Sequence, residues 1–365
     1  MRTERTADPW LLAIVVGLTA GGFFIFSSAS LGFFAREETA LGTVIWTRVI
    51  AGLIGILLAY GVSVLHYRVL RRYALALFLC AATLTALVFV PGLGLEHGGA
   101  KRWISILGFS FQPSEALKIA SVIYGAALFA SAGERIKTLA HGLAPFAALL
   151  IIPGLLLLLQ PDTDTFVVLS VALFAMFLGA GGRMRHIGIV ALVLLIGLGV
   201  LIWTKPYLAA RVATFLNPAA DPQGAGYQIQ QSLIAIGSGG ALGRGFGQSV
   251  QKFSYLPEPI GDSIFAVAAE EFGFIGGAAL VLLFLFLILR GLRLTARAPD
   301  PFSGLLALGI VILIGASAFT NIASMLGVIP LSGLPLAFVS HGGTALVIAL
   351  VEAGILLNIS RYQRQ

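Results

Sequence analysis

The sequence is poor in charge, in acid and in cysteine. Of its 365 residues 11% are charged, 16 are Asp or Glu, and Cys80 is the single cysteine. One cysteine in an apolar run excludes an internal disulfide and any cysteine-based metal cluster. There is no GxxxxGK[ST] string and no GxGxxG after a strand. The glycines of GSGGALGRGFG therefore match a phosphate-cradling loop only in composition, and a nucleotide site is excluded. So little charge beside 58% hydrophobic residues and a mean hydropathy of +0.97 also excludes an ordinary soluble domain.

What is present is apolar length. Segments of about 20 apolar residues suit transmembrane helices, and ten are predicted: 10–34, 43–65, 74–91, 114–132, 143–160, 164–181, 187–204, 264–289, 303–328 and 337–360. Backbone groups in lipid must be paired within the segment, so these read as helices. The expectation is an all-α polytopic membrane protein, residues 1–365 forming one transmembrane domain.

The net charge of +7 does not indicate a nucleic-acid partner, because the basic residues sit where they mark one side of a membrane. With the N-terminus inside, the cytoplasmic tails and short loops carry Arg2, Arg5, Arg68, Arg71, Arg72, Arg135, Lys137, Arg183, Arg185, Arg290, Arg293, Arg297, Arg361 and Arg364. That pattern follows the positive-inside rule and places both termini in the cytoplasm. The first apolar segment lacks a small-residue cleavage site and is expected to be retained. Residues 205–262, between the seventh and eighth helices, become a large extracytoplasmic loop, with an amphipathic helix at the interface over Tyr227–Ile236.

The organising stretch is Gly243–Gly277, GRGFGQSVQKFSYLPEPIGDSIFAVAAEEFGFIGG, whose polar first half runs into an apolar span. Asp262 stands at the join. A carboxylate there is either a helix cap or a functional group, and the cost of burying it favours function. In the loop at 91–113, Lys101 and Arg102 beside Trp103 suit an anionic headgroup, a phosphate-bearing ligand or plain interfacial anchoring. In PSEALK, Pro113 opens a helix that Ser114 caps. Glu115 and Lys118 share a face of it, either as a structural ion pair or as a glutamate holding a lysine aimed at a diphosphate. QPDTDT places Asp162 and Asp164 in a tight turn, where they bind a hard cation or are merely solvated and capping, Asp164 the more so.

Further along, Arg48 either snorkels or faces a polar cavity, and SSAS in the first span packs against neighbouring helices. One of Glu270 and Glu271 faces the interior and the other a partner, while Glu352 is expected near the inner face. GVIPLSGLPLAFVSHGGTAL reads as a broken helix or re-entrant turn holding Ser340 and His341.

Together, GAGYQIQQSLIAIGSGG, the Gly243–Gly277 stretch, GVIPLSGLPLAFVSHGGT, FQPSEALK and LLLQPD resemble the SEDS family (shape, elongation, division and sporulation). SVQKFSYLPE is nearer the FtsW-like division branch than the RodA-like elongation branch. The sequence departs from the family pattern with SHGGT for SYGGS, QPDTDT for QPDLGT and IGD for HTD.

The resemblance implies a peptidoglycan glycosyltransferase in the bacterial cytoplasmic membrane, its active site on the extracytoplasmic side. It would polymerise lipid II for septal synthesis or for elongation. Asp262 matches the essential aspartate and would be the general base. Lys118, oriented by Glu115 and helped by Arg102, would stabilise the diphosphate, with Lys101, Ser340 and His341 also in the substrate site. No organic cofactor is implied; a divalent cation, Mg2+ or Mn2+, is expected at Asp162 or Asp262. Implied partners are a single-span class B penicillin-binding protein and other divisome or elongasome membrane proteins. A lipid II flippase and a non-catalytic scaffold activating such a protein are the rival readings.

Overall fold

The computed structural model describes residues 6–34, 41–97, 100–106, 109–218, 224–363; Arg2, Arg5 and Arg364 lie outside them. Long apolar runs dictate helices, and the chain forms α1 (Pro9–Phe34), α2 (Leu41–Val64), α3 (Arg68–Leu87), α4 (Pro113–Ala132), α5 (Ala144–Leu159), α6 (Thr163–Gly179), α7 (Met184–Thr204), α8 (Pro206–Leu216), α9 (Ala225–Ser238), α10 (Gln251–Ser254), α11 (Ile264–Ala296), α12 (Pro301–Met325) and α13 (Gly343–Ser360). Among the described residues nine helices are long and apolar enough to span a membrane, and the 17-residue α6 supplies the tenth pass. The chain is a multi-pass membrane protein. Arg68, Arg135, Arg183, Arg290 and Arg361 fall at one end of the bundle, the basic end; Asp262 lies at the other.

The third helix starts at Arg68 rather than at 74, because the Arg68–Arg72 turn continues the helix beyond the apolar run. The 91–113 loop is not irregular. It forms an antiparallel sheet of β1 (Gly94–His97), β2 (Ala100–Ile106) and β3 (Phe109–Phe111), with Leu95 opposite Trp103 and Ile104 opposite Phe111. Paired strands satisfy their own backbone groups, so the sheet can stand at the bundle end against α4 and α13. Among the described residues of 205–262 there are three helices; the expected helix over Tyr227–Ile236 lies inside α9 and packs on α11. The last helix begins at Gly343 rather than at 337, with Gly333, Pro335 and Gly342 in the non-helical segment before it.

α12 sits at the centre, against α4, α6, α11 and α13. α11 is broken at Gly273, whose φ of 65° only glycine adopts without strain. The break folds the helix back on itself: a methyl group placed on Gly277 would lie 3.7 Å from the Phe265 ring and 3.8 Å from Ala269 Cβ. In a straight helix eight residues separate by about 12 Å. The backbone groups freed by the break are taken by the glycine loop before α10. Phe274 N donates to Gly240 O (2.8 Å) and Ile275 N to Ala241 O (3.2 Å), while Arg244 N and Gly245 N donate to the carbonyls of Glu270 (3.0 Å) and Glu271 (2.9 Å). Non-helical backbone at such a place requires partners of this kind.

Both glutamates of the pair face the interior, contrary to the expected division between them. Glu270 accepts from Ser249 Oγ (2.5 Å) and Val250 N (3.0 Å). Glu271 accepts from Lys252 Nζ (2.5 Å) and from Ser28 Oγ (2.6 Å) of the SSAS segment. They pin α10 and the glycine loop to the outer half of α11, and α11 to α1.

Candidate active site

Asp262 lies in the turn just before α11, half-buried. It does not cap that helix: the N-cap is Ser263, and it makes no side-chain capping bond. Three elements fix the turn instead. Asn321 of α12 donates from Nδ2 to the carbonyls of Asp262 (2.8 Å) and Leu334 (2.8 Å). Gln228 of α9 donates to Ser263 Oγ (3.1 Å). From the broken segment before α13, Ser340 Oγ donates to Gly261 O (2.8 Å) and His341 N to Ile260 O (2.8 Å). Asn321 is 20 residues along α12 from Pro301, about 30 Å of helix. That equals the thickness of a bilayer's hydrocarbon core.

Burial pushes the Asp262 carboxyl up to about 7, reinforced by the negative charges of Glu258 and Asp164 and opposed by Arg211 and Arg102. A carboxylate poised there can take and hold a proton near neutral pH. Gly333 marks the point of convergence: a methyl group on it would lie 3.9 Å from each of Asp262 Oδ2, Asp164 Oδ2 and Arg211 Nη2. Arg211 Nη1 meets Asp164 Oδ2 at 2.9 Å, and Gly333 N donates to the same oxygen at 2.9 Å.

Arg102 is half-buried and donates from Nε to Gln160 O (3.1 Å) and from Nη2 to Pro161 O, holding the QPD turn. Asp162 is buried beside it; burial raises its carboxyl, and Arg102 acts in the opposite direction. Glu115 and Lys118 form a buried ion pair of 2.9 Å. Glu352 joins them around a small cavity with Ser317, midway along α13 rather than near its inner end. Ser114 does not cap α4, whose N-cap is Gln112. Lys101 is exposed and faces Glu96 at 3.9 Å, apart from this group. Arg48 does not snorkel: it is 2% exposed, stacks over Phe26, and donates to the carbonyls of Ser340 and Phe338. His341 stacks on Phe26 at 5.5 Å, and burial beside Arg48 lowers it to about 4, so the ring is neutral at physiological pH.

Among the predicted residues the structure therefore joins Asp262, Ser340 and His341 in one unit, and Arg102 with Asp162 in another beside it. Lys118 and Glu115 lie deeper. Arg211, Asn321 and Gln228 were not read from sequence as site residues. Each lies in a helix with other polar residues, and only the long-range fold shows what it faces. Asp164 was read as the more solvated and capping of its pair, yet it is the one near Asp262. Among the described residues no group of three or more His, Cys, Asp or Glu is placed to hold a metal ion. Asp164 Oδ2 is already bonded to Arg211 and Gly333 N, so a hard cation beside Asp162 or Asp262 would be held by one or two carboxylates and take its other oxygen ligands from water and substrate. An apolar groove of about 520 Å3 runs between α5, α6 and α7, past Leu150, Phe166, Phe174 and Leu194, and includes Thr163 between the two aspartates.

An acidic turn fixed beside arginines, at one end of a ten-pass helical bundle, defines a polytopic membrane protein with a buried polar site at that end. The chain belongs to the FtsW/RodA/SpoVE family of cell cycle proteins, whose family profile matches residues 9–365. It is 36% identical to stage V sporulation protein E of Bacillus subtilis (strain 168), over 100% of both chains. It is 38% identical to a probable peptidoglycan glycosyltransferase FtsW of Geobacter sp. (strain M18), over 100% of this chain and 99% of the relative. Among solved structures it resembles a chain from a study of polymerization and crosslinking by a peptidoglycan synthase complex, with TM-score 0.80 and 29% identity over 98% of this chain and 99% of that one. It also resembles the rod shape determining protein RodA of Thermus thermophilus, with TM-score 0.71 and 27% identity over 98% of both chains. The resemblance read from the motifs is thereby confirmed.

Proposed function

We propose that this chain is a peptidoglycan glycosyltransferase that polymerises lipid II at the extracytoplasmic face of the bacterial cytoplasmic membrane. The observation that carries the mechanism is the Asp262 turn, fixed by three elements at the bundle end; burial of its carboxyl there, pushed up to about 7, suits a base near neutral pH. The acceptor sugar hydroxyl attacks the anomeric carbon of the donor. As the new C–O bond forms, the proton passes to Asp262 and the bond from the anomeric carbon to the diphosphate oxygen breaks. Undecaprenyl diphosphate leaves as an anion, so no general acid is needed.

Arg102, beside the QPD turn, is the cation on hand for the diphosphate. Lys118, 7% exposed and paired with Glu115, reaches it only if that pair opens. Ser340 and His341 act by holding the Asp262 turn. The apolar groove between α5, α6 and α7 suits the prenyl chain, whose diphosphate would then lie near Thr163. A divalent cation at this place would draw much of its coordination from substrate oxygens, and no step here depends on one. The probable FtsW relatives and the synthase-complex neighbour support the reading, and the latter supports a crosslinking penicillin-binding protein as partner.

The test is to purify the chain with its cognate penicillin-binding protein and supply labelled lipid II. Glycan strands from the native complex and none from equally folded Asp262→Ala are expected. Equal product from both removes Asp262 from the mechanism. No product while lipid II crosses vesicles carrying the chain makes it a flippase.

A further inference from the structure

The three side chains converging on Gly333 differ in what holds them. Asp164 is fixed twice, by Arg211 and by the Gly333 amide. Arg211 sits on the short helix α8, and its side chain is 30% exposed against 25% for Asp164. The Oδ2 atoms of Asp164 and Asp262 are no farther apart than twice 3.9 Å, since both lie that distance from one point. An anion arriving from outside meets Arg211 and can draw it away, while the amide keeps Asp164 in place. Asp164 is then an unpaired negative charge beside Asp262. Like charges at such a separation disfavour ionisation of the second group, so Asp262 binds a proton more tightly and becomes the stronger base.

We infer that Asp164 and Arg211 form a substrate-operated switch on Asp262, in which the lipid diphosphate takes Arg211 and the released Asp164 strengthens the base. This rests on the polymerase reading. Asp164 is a positioning residue that acts through its charge, and Arg211 the anion contact. The charged groups around Asp262 are Glu258, Asp164, Arg211 and Arg102. Of these, only Arg211 and Asp164 form an ion pair with each other, so only they can exchange one partner for another. The plain alternative is a tie between α6 and α8 with no influence on chemistry.

The alternative and the switch differ in the pH dependence. The acid limb of the rate of strand formation reports the Asp262 carboxyl in the loaded enzyme. Asp164→Asn keeps the size and the bond from Gly333 N but removes the charge. It is expected to move that limb to lower pH by about one unit, from two charges roughly 8 Å apart at an effective dielectric near 20 with some solvent screening. Arg211→Gln is expected to raise KM for lipid II more than it lowers kcat. A second readout needs no turnover: the Asp262 carboxyl is titrated by infrared difference spectroscopy against Asp262→Asn, with and without inorganic pyrophosphate. Pyrophosphate should raise the midpoint in the native chain and leave it in place in Arg211→Gln and Asp164→Asn. A native acid limb unchanged in Asp164→Asn, or a midpoint indifferent to pyrophosphate, overturns the switch and leaves the polymerase standing. A native chain that makes no glycan at any pH ends the polymerase reading, while the infrared midpoint still decides the coupling.

Discussion

Lys252 and Glu271 meet at 2.5 Å with neither side chain exposed, and Ser28 bonds to both. Taking the lysine away leaves a carboxylate with no opposite charge and one oxygen, Oε2, already lacking a partner. Breaking a buried pair from one side costs about 3–5 kcal/mol, because the surviving charge keeps its desolvation penalty. Replacing both partners removes that penalty, so Lys252→Met with Glu271→Leu is expected to fall within about 1–2 kcal/mol of the native chain. The coupling energy of the cycle should then be about 4 kcal/mol or more. Unfolding of the four purified proteins across an SDS titration measures it. Because this pair fixes α10 and the outer half of α11, which follows directly from Asp262, Lys252→Met should also lose lipid II turnover that the double variant recovers in part. Single variants as mild as a surface substitution, or additive losses in the double, would refute the assignment of Glu271 and Lys252 as one unit.

Activity should rise with pH through about 7, where Asp262 loses its proton; a flat rate from pH 5 to 8 would count against it as base. The same raised carboxyl means that ionising Asp262 opposes folding. Its neutral form is favourable below the ordinary 3.8, and that contribution is lost as pH climbs towards 7. Asp262→Asn should therefore melt higher than native at pH 8 but not at pH 4, which thermal scans in detergent can check. Gly273→Ala must place a methyl group 2.3 Å from Gly243 N at a φ of 65°, a combination worth about 3 kcal/mol or more; SDS titration should show that loss, with Gly197→Ala, whose added methyl group meets nothing within 4 Å, as the mild comparison. Asn321→Ala removes two bonds of 2.8 Å that hold the Asp262 and Leu334 carbonyls. About tenfold in kcat with little change in KM is expected, from about 1.4 kcal/mol of lost positioning, and steady-state assays with lipid II would show it.

The sequence alone determined the parts set by local chemistry. Apolar length gave ten passes, and α6 and α7 start within three residues of their predicted positions because a polar turn before an apolar run leaves little choice. Arginine placement gave the two ends, and a lone acid where the glycine-rich loop meets an apolar span singled out Asp262. Tertiary structure decided what a one-dimensional pattern does not contain. The fold-back at Gly273 depends on a loop thirty residues earlier that takes up the broken helix's backbone bonds. Glu270 and Glu271 are both buried because Ser249, Lys252 and Ser28 come to meet them. Asp164 reaches Asp262, and Arg211 reaches Asp164, only because Gly333 brings α6, α8 and the turn before α11 to one point. A charge in a sequence has a type and a spacing; its partner, and so its energy, is fixed by the packing of distant segments.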